Sequence, residues 1–249
     1  MIESGNGSFK CAGFLGARLR PGRGGNPAMC GDSILIDPAR GLFAVGDSSD
    51  REPRAARAFM RHFSELLDDI SILPTGGVVE DDRLDAFITI IVDRSHRMMR
   101  ELPLRGSTTF TGVLLVRTGR KRKALLLHAG DSILLAYRPG QGMRTVTEKN
   151  FWLIGKAREF YQTAVFDVSR GDRFLLATDG IQDLTPPAGK ERDAYLAELF
   201  TRSGVEDIPD ILIGSSDTKT AGTDDLAVLT LAPDRPFPDF DAIILGVYP

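Results

Sequence analysis

Ala124-Leu125-Leu126-Leu127-His128-Ala129-Gly130-Asp131-Ser132-Ile133-Leu134-Leu135-Ala136-Tyr137 reads as two apolar strands on either side of a Gly-Asp-Ser turn. Both runs are too uniformly apolar for one wet face, so each needs cover on both sides. The same texture extends in both directions along the chain. Runs at Ser33 to Ile36, Leu42 to Gly46, Thr108 to Arg117, Ala164 to Val168, Arg173 to Thr178 and Leu226 to Leu231 are rich in branched and apolar residues and are bounded by Gly, Pro or Asp. With Ala124 to Ala129 and Ile133 to Tyr137 they predict a protein built mainly of strands.

Two helical patterns interrupt the strands. Pro53 at a first-turn position opens one that runs to about Leu67, with Ala56, Phe59, Met60 and Phe63 on one stripe. Asp81 and Asp82 open the other, in which Leu84, Phe87, Ile88, Ile91 and Val92 repeat at helical spacing as far as about Leu102. A third pattern, Arg192 to Arg202, precedes the last strand. A strand pair, two helices, a long meander, then a helix and a strand imply an α+β fold in which a β sandwich carries helices on its outside.

Composition narrows the function. The chain has 249 residues, 42% hydrophobic and 26% charged, as in an ordinary globule, and nothing divides it, so one domain spanning 1–249 is expected. Its 31 basic and 34 acidic residues leave a formal charge of −3, which draws it to neither nucleic acid nor an anionic membrane. The first twenty residues hold no leader-like apolar stretch and no segment is long enough to span a bilayer, which predicts a cytoplasmic chain. Two cysteines, Cys11 and Cys30, fit a reducing compartment.

The chemistry lies where aspartates meet strand ends. Asp32 precedes a strand, Asp47 ends Phe43-Ala44-Val45-Gly46-Asp47, Asp131 sits in the turn quoted above, Asp179 ends Leu175-Leu176-Ala177-Thr178-Asp179-Gly180, and Asp224 with Asp225 opens Leu226-Ala227-Val228-Leu229. Singly, each is explained as a turn residue bonded to its own backbone. Jointly, if the ends converge, the charges conflict: two carboxylates about 4 Å apart repel by roughly 4 kcal/mol at an effective dielectric near 20. Such a cluster calls for cations, and oxygen donors suit Mg²⁺ or Mn²⁺. His62, His96 and His128 are too scattered for zinc. A pair of such ions can lower the pKa of a water and clamp phosphate oxygens, which points to phosphoester hydrolysis.

These residues, in this order, resemble the metal-dependent protein phosphatases of the PPM (type 2C) family. Phe43-Ala44-Val45-Gly46-Asp47 is similar to the strand ending in the first metal-bridging Asp, and Gly106-Ser107-Thr108-Thr109 to the segment after the helix pair. Ala129-Gly130-Asp131-Ser132, Ala177-Thr178-Asp179-Gly180 and Thr223-Asp224-Asp225 resemble the later acidic motifs, and Gly171-Asp172-Arg173 also fits. The resemblance implies an α-β-β-α sandwich of two antiparallel sheets. It also implies hydrolysis of phosphoserine or phosphothreonine in a protein substrate by attack of a metal-bound water, with Asp32, Asp47, Asp179 and Asp224 as the catalytic set. Asp47, the Ser48 carbonyl, Asp179 and Asp224 would hold two Mg²⁺ or Mn²⁺ ions, Asp131 with Asp179 a third, weaker one, and Asp32 a metal-coordinated water.

The sequence departs from the family pattern in places. Ser48 stands where Gly usually follows the first Asp, and Asn26-Pro27-Ala28-Met29-Cys30 stands where an Arg often grips phosphate, leaving Arg18, Arg20 or Arg23 of a preceding loop as substitutes. These departures keep a second reading open, a pseudophosphatase that binds without catalysis. Asn150 to Tyr161 falls where relatives carry a flap, here short. Its Phe151 and Trp152 either line a substrate cleft or pack the flap.

Other classes fit worse. Neither cysteine is followed by a phosphate-cradling loop, and Gly155-Lys156-Ala157 lacks the rest of a nucleotide loop. Arg117-Thr118-Gly119-Arg120-Lys121-Arg122-Lys123 reads as a charged hairpin that keeps strand edges soluble, with docking of an acidic protein substrate as the alternative. His128, within an apolar run, reads as a buried structural histidine.

Overall fold

The structure is a computed structural model. It describes residues 2–4, 7–22, 30–49, 54–69, 78–119, 121–183, 186, 190–215 and 224–246. One sheet has seven strands: β1 (Ile2–Ser4), β4 (Asp32–Asp37), β5 (Leu42–Asp47), β6 (Phe110–Thr118), β7 (Lys121–Ala129), β10 (Gln162–Val168) and β13 (Ile243–Leu245). Their spatial order is β1-β13-β4-β5-β6-β7-β10. The other sheet has six: β2 (Ser8–Cys11), β3 (Leu15–Arg20), β8 (Ile133–Arg138), β9 (Gly142–Thr145), β11 (Arg173–Ala177) and β12 (Leu226–Leu231), in the order β2-β3-β12-β11-β8-β9. Pairing is antiparallel except between β1 and β13. Helices α1 (Arg54–Asp69) and α2 (Leu84–Glu101) cover the first sheet, and α3 (Arg192–Arg202) and α4 (Ile208–Ser215) cover the second.

Three apolar interfaces hold these four layers together. Between the sheets, Phe43, Val45, Leu126, Leu134, Phe174 and Leu229 interdigitate. Phe59, Phe63 and Met60 of α1 and Phe87 and Ile91 of α2 pack on the back of the first sheet around Phe110. Leu196, Phe200, Ile208 and Leu212 pack on the back of the second. Both faces of β4, β5, β6 and β12 are thus covered, which is why their sequences are nearly all apolar.

The predicted elements are present with shifted ends. β6 begins at Phe110 rather than Thr108, and the backbone of Thr108 bonds to Ile154 while its hydroxyl and the Thr109 amide bond to the Asp47 carbonyl. Pro53 lies outside the described residues. The loop assigned to Arg18 and Arg20 is instead strand β3, and Arg18 is committed to Asp210 at 2.8 Å, which corrects its candidacy as a phosphate grip. Arg20, the second substitute, ends β3 opposite Leu226 on the side of the acidic strand ends, and Arg23, the third, lies outside the described residues.

Phe59 is fully buried and meets Phe63, Phe110 and Phe160 at ring-centre distances of 5.9, 5.0 and 6.4 Å. Phe59→Ala should cost about 3–5 kcal/mol, read as a lower urea midpoint with an unchanged slope.

Candidate metal centre

Asp32, Asp47, Asp131, Asp179 and Asp224 lie at the same end of the strands. Asp32 and Asp47 are direct cross-strand partners at the shared end of β4 and β5, a register that sets Cβ atoms roughly 4.5–5.5 Å apart. Asp131 follows β7, Asp179 follows β11, and Asp224 precedes β12, so the second sheet brings its acidic ends to the pole reached by the first.

Hydroxyl side chains fix these ends. Thr178 donates to Asp32 Oδ2 at 2.6 Å and accepts the Ala227 amide at 2.8 Å, tying the two sheets together beneath the acidic groups. The Asp47 amide donates to Thr109 Oγ1 at 3.0 Å, while Thr109 N and Thr108 Oγ1 donate to the Asp47 carbonyl at 2.8 and 2.9 Å. Thr109 Oγ1 also meets Ser132 Oγ at 2.7 Å, linking the Asp47 and Asp131 loops. Asp225 accepts the amides of Gly22 and Gly31 at 2.6 and 2.7 Å, so it anchors backbone, while its neighbour Asp224 flanks the cluster. These roles of Thr178, Thr109 and Asp225 were not read from sequence. The Gly-Ser-Thr-Thr and Ala-Thr-Asp-Gly strings were the available signal.

Two glycines are required by geometry. Gly130 has φ +109°, and a Cβ there would lie 2.6 Å from the Thr109 side chain. At Gly180 a Cβ would lie 2.1 Å from the Asp225 carbonyl oxygen, so only glycine lets the Asp179 turn approach the Asp224-Asp225 strand. Ser48, by contrast, has a use of its own: its hydroxyl accepts the Ala56 amide at 3.0 Å and caps the first turn of α1.

The carboxylates strain one another electrostatically. Burial, then repulsion from Asp179 and Asp224, pushes Asp47 up to about 7. Burial, then the charges of Asp131 and Asp224, raises Asp179 to about 6, with Lys149 partly offsetting the rise. Asp32 is held well above the usual carboxylate range by burial first and Asp47 second. Its Oδ1 is buried with no hydrogen-bond partner among the described residues. Among the described residues no three His, Cys, Asp or Glu side chains converge into a finished ligand set. The aspartates therefore share a pole and feel one another's charge without meeting at a single point. An all-oxygen donor set, mutual repulsion and an orphaned buried carboxylate oxygen together fit a hard divalent cation.

The segment 150–161 is strapped to this pole. Asn150 Oδ1 accepts the Gly130 amide at 2.8 Å, and the Asn150 amide donates to the Gly130 carbonyl at 3.1 Å. Ile154 exchanges two backbone bonds with Thr108, at 2.8 and 3.0 Å, and its side chain is buried with Phe160 in the core under α1. Phe151 remains 87% exposed beside the strap. His128 lies beneath it, between Thr111 Oγ1 at 2.9 Å and the Glu148 carbonyl at 3.1 Å, as the sequence predicted.

Residues 37–234 match the family model described as Stage II sporulation protein E (SpoIIE), and a sandwich of two antiparallel sheets flanked by helices is the fold of PPM-type phosphatases. The chain belongs to the SpoIIE family, within the PPM-type group. No curated protein matches it. Among solved structures, a point variant of a bacterial serine phosphatase superposes with a TM-score of 0.65 at 14% identity, over 92% of this chain and 100% of its own. The Mycobacterium tuberculosis serine/threonine phosphatase PstP/Ppp gives 0.56 at 21% identity, over 87% and 97%. The catalytic domain of PstP in complex with two manganese ions gives 0.57 at 21%, over 94% and 99%. At these identities the likeness establishes the fold. Among the described residues no helix is long and apolar enough to cross a membrane.

Burial first, only partly offset by the Glu148 carbonyl and Asp131, lowers the pKa of His128. A depressed imidazole is neutral in the fold but takes a proton in the unfolded chain below about 6.5, so its stabilising effect is complete above that pH and is lost as pH falls. Thermal melts from pH 7.5 down to 5 should show wild type losing more stability than His128→Gln; parallel pH profiles would contradict this.

Proposed function

We propose that the chain is a single-domain, metal-dependent phosphatase that hydrolyses phosphoserine or phosphothreonine in a protein substrate. The observation that carries this reading is the gathering of Asp32, Asp47, Asp131, Asp179 and Asp224 at one pole, where burial and mutual repulsion raise the pKa of Asp32, Asp47 and Asp179. Asp47, the Ser48 carbonyl, Asp179 and Asp224 would hold two Mg²⁺ or Mn²⁺ ions, and Asp131 with Asp179 a third. Divalent ions in such a setting lower the pKa of water and neutralise phosphate oxygens.

The chain's own residues do the positioning. Thr178 fixes one oxygen of Asp32 and leaves Oδ1 to accept a hydrogen bond from a water at the pole. Thr108 and Thr109 clamp the backbone of Asp47, and Ser49 N, donating to the Ser107 carbonyl at 2.9 Å, sets the peptide plane that carries the Ser48 carbonyl. Lys149, exposed and close enough to act on Asp179, takes the part of the phosphate-gripping cation that Arg18 cannot fill. The strap at 150–161 is a fixed wall on which the exposed Phe151 meets the residue flanking the phosphoamino acid.

The test is hydrolysis of p-nitrophenyl phosphate in Mn²⁺. Wild type should turn over, lose activity to a chelator, and lose at least about a hundredfold on Asp47→Asn; Thr178→Val, which frees Asp32 and unpairs the Ala227 amide, should lose roughly tenfold. An inert wild type that binds little Mn²⁺ would favour the pseudophosphatase reading instead. Lys149→Ala should raise KM more than it lowers kcat, because its charge meets phosphate in ground and transition state alike.

A further inference from the structure

The pole opposite the aspartates has the reverse charge. Lys121 and Ala129 sit at the two ends of β7, about 27 Å apart at strand rise. At the Lys121 end a cavity of about 690 Å³ opens between the start of β7, the β10–β11 turn and the stretch after β12. Five cations line it, Lys121, Arg122, Arg170, Arg173 and Arg235, against two carboxylates, Asp167 and Asp234. Both carboxylates are already engaged: Asp167 pairs with Lys123 at 2.9 Å, and Asp234 accepts the Gly171 amide at 2.9 Å and faces Arg173 at 3.5 Å.

Arg122 is the built part of this cleft. Its Nη1 donates to the Pro233 carbonyl at 2.7 Å and to the Arg235 carbonyl, and its guanidinium lies 5.1 Å over the Phe237 ring. Its direct cross-strand partner is Arg117, a like-charge pairing that costs stability unless an anion offsets it. Burial and the neighbouring Arg117 charge lower the Arg122 pKa, and Asp234 offsets this only in part.

We propose that this cleft docks an acidic, Asp/Glu-rich segment of a partner protein. Carboxylates fit better than phosphate because the backbone amides that would cradle a phosphate are spent: Ser169 N donates to Asp172 at 2.8 Å and Gly171 N to Asp234. The lining offers Val168 and Pro236 as its apolar members, and Arg122 covers the Phe237 ring, so a nucleotide base has no platform. Cations drawn from three separate elements suit several carboxylates spaced along a peptide. The inference does not require the aspartate pole to be catalytic, since binding is read directly.

Fluorescence anisotropy of a fluorescein-labelled oligo-glutamate peptide with the full chain should show saturable binding that weakens with salt. The exposed triple variant Lys121→Glu/Arg170→Glu/Arg235→Glu should bind roughly tenfold more weakly while melting like wild type. Lys190→Glu/Arg192→Glu/Arg202→Glu, with the same change in net charge but on and beside α3, should bind as wild type does. Equal weakening in both triples would overturn the site, and displacement of the peptide by an equal concentration of pyrophosphate would overturn the acidic-peptide assignment. p-Nitrophenyl phosphate turnover by the first triple should match wild type, and a drop would contradict a docking role remote from the aspartates.

Discussion

Repulsion among buried carboxylates is the constraint around which this sandwich is built. Asp32 and Asp47 face each other across two strands, and Asp179 and Asp224 add their charge from the second sheet. Such crowding opposes folding, and a domain's whole margin is only about 5–15 kcal/mol. The arrangement persists because three well-filled apolar interfaces fix the strands, and because Thr178, Thr109 and the amides bound by Asp225 hold the strand ends where they are.

The buried carboxylates fall into two groups by what surrounds them. Asp37, at the other end of β4 and fully buried, accepts from Ser64 at 2.6 Å and pairs with Arg40 at 2.8 Å. Asp172 is fixed by a bidentate Arg138 at 2.9 and 2.7 Å. Among the described residues Asp32 has no cation beside it, only other acids and one hydroxyl. A buried acid matched by a base holds the fold, whereas buried acids matched by one another are relieved only by protons or by a counter-charge brought from solution.

Much of this was readable in the sequence, for identifiable reasons. Uniformly apolar runs revealed the doubly covered strands, and helical spacing of Phe59, Met60 and Phe63 revealed α1. The acidic strand ends pointed to one pole once their order matched the PPM pattern. What escaped was carried by weaker signals. In β3, Leu15, Ala17 and Leu19 alternate with Gly16, Arg18 and Arg20, a clear two-residue period hidden by the arginines. α4 is a short, nearly all-apolar helix without polar contrast, although Pro209 near its start is a usable mark. The hydroxyl ties and the basic cleft depend on contacts between residues far apart in the chain, which periodicity does not encode.

The most direct measurement is the melting temperature as a function of Mn²⁺ at pH 8. A cation site at the acidic pole should raise the Tm of wild type by roughly 5–10 °C when Mn²⁺ reaches about a hundred times its Kd. In chelator, Asp47→Asn should melt above wild type, since one repelling charge is gone, and should respond far less to the metal. A wild-type Tm indifferent to millimolar Mn²⁺, or an Asp47→Asn variant that responds as strongly, would contradict a divalent-cation centre at these aspartates.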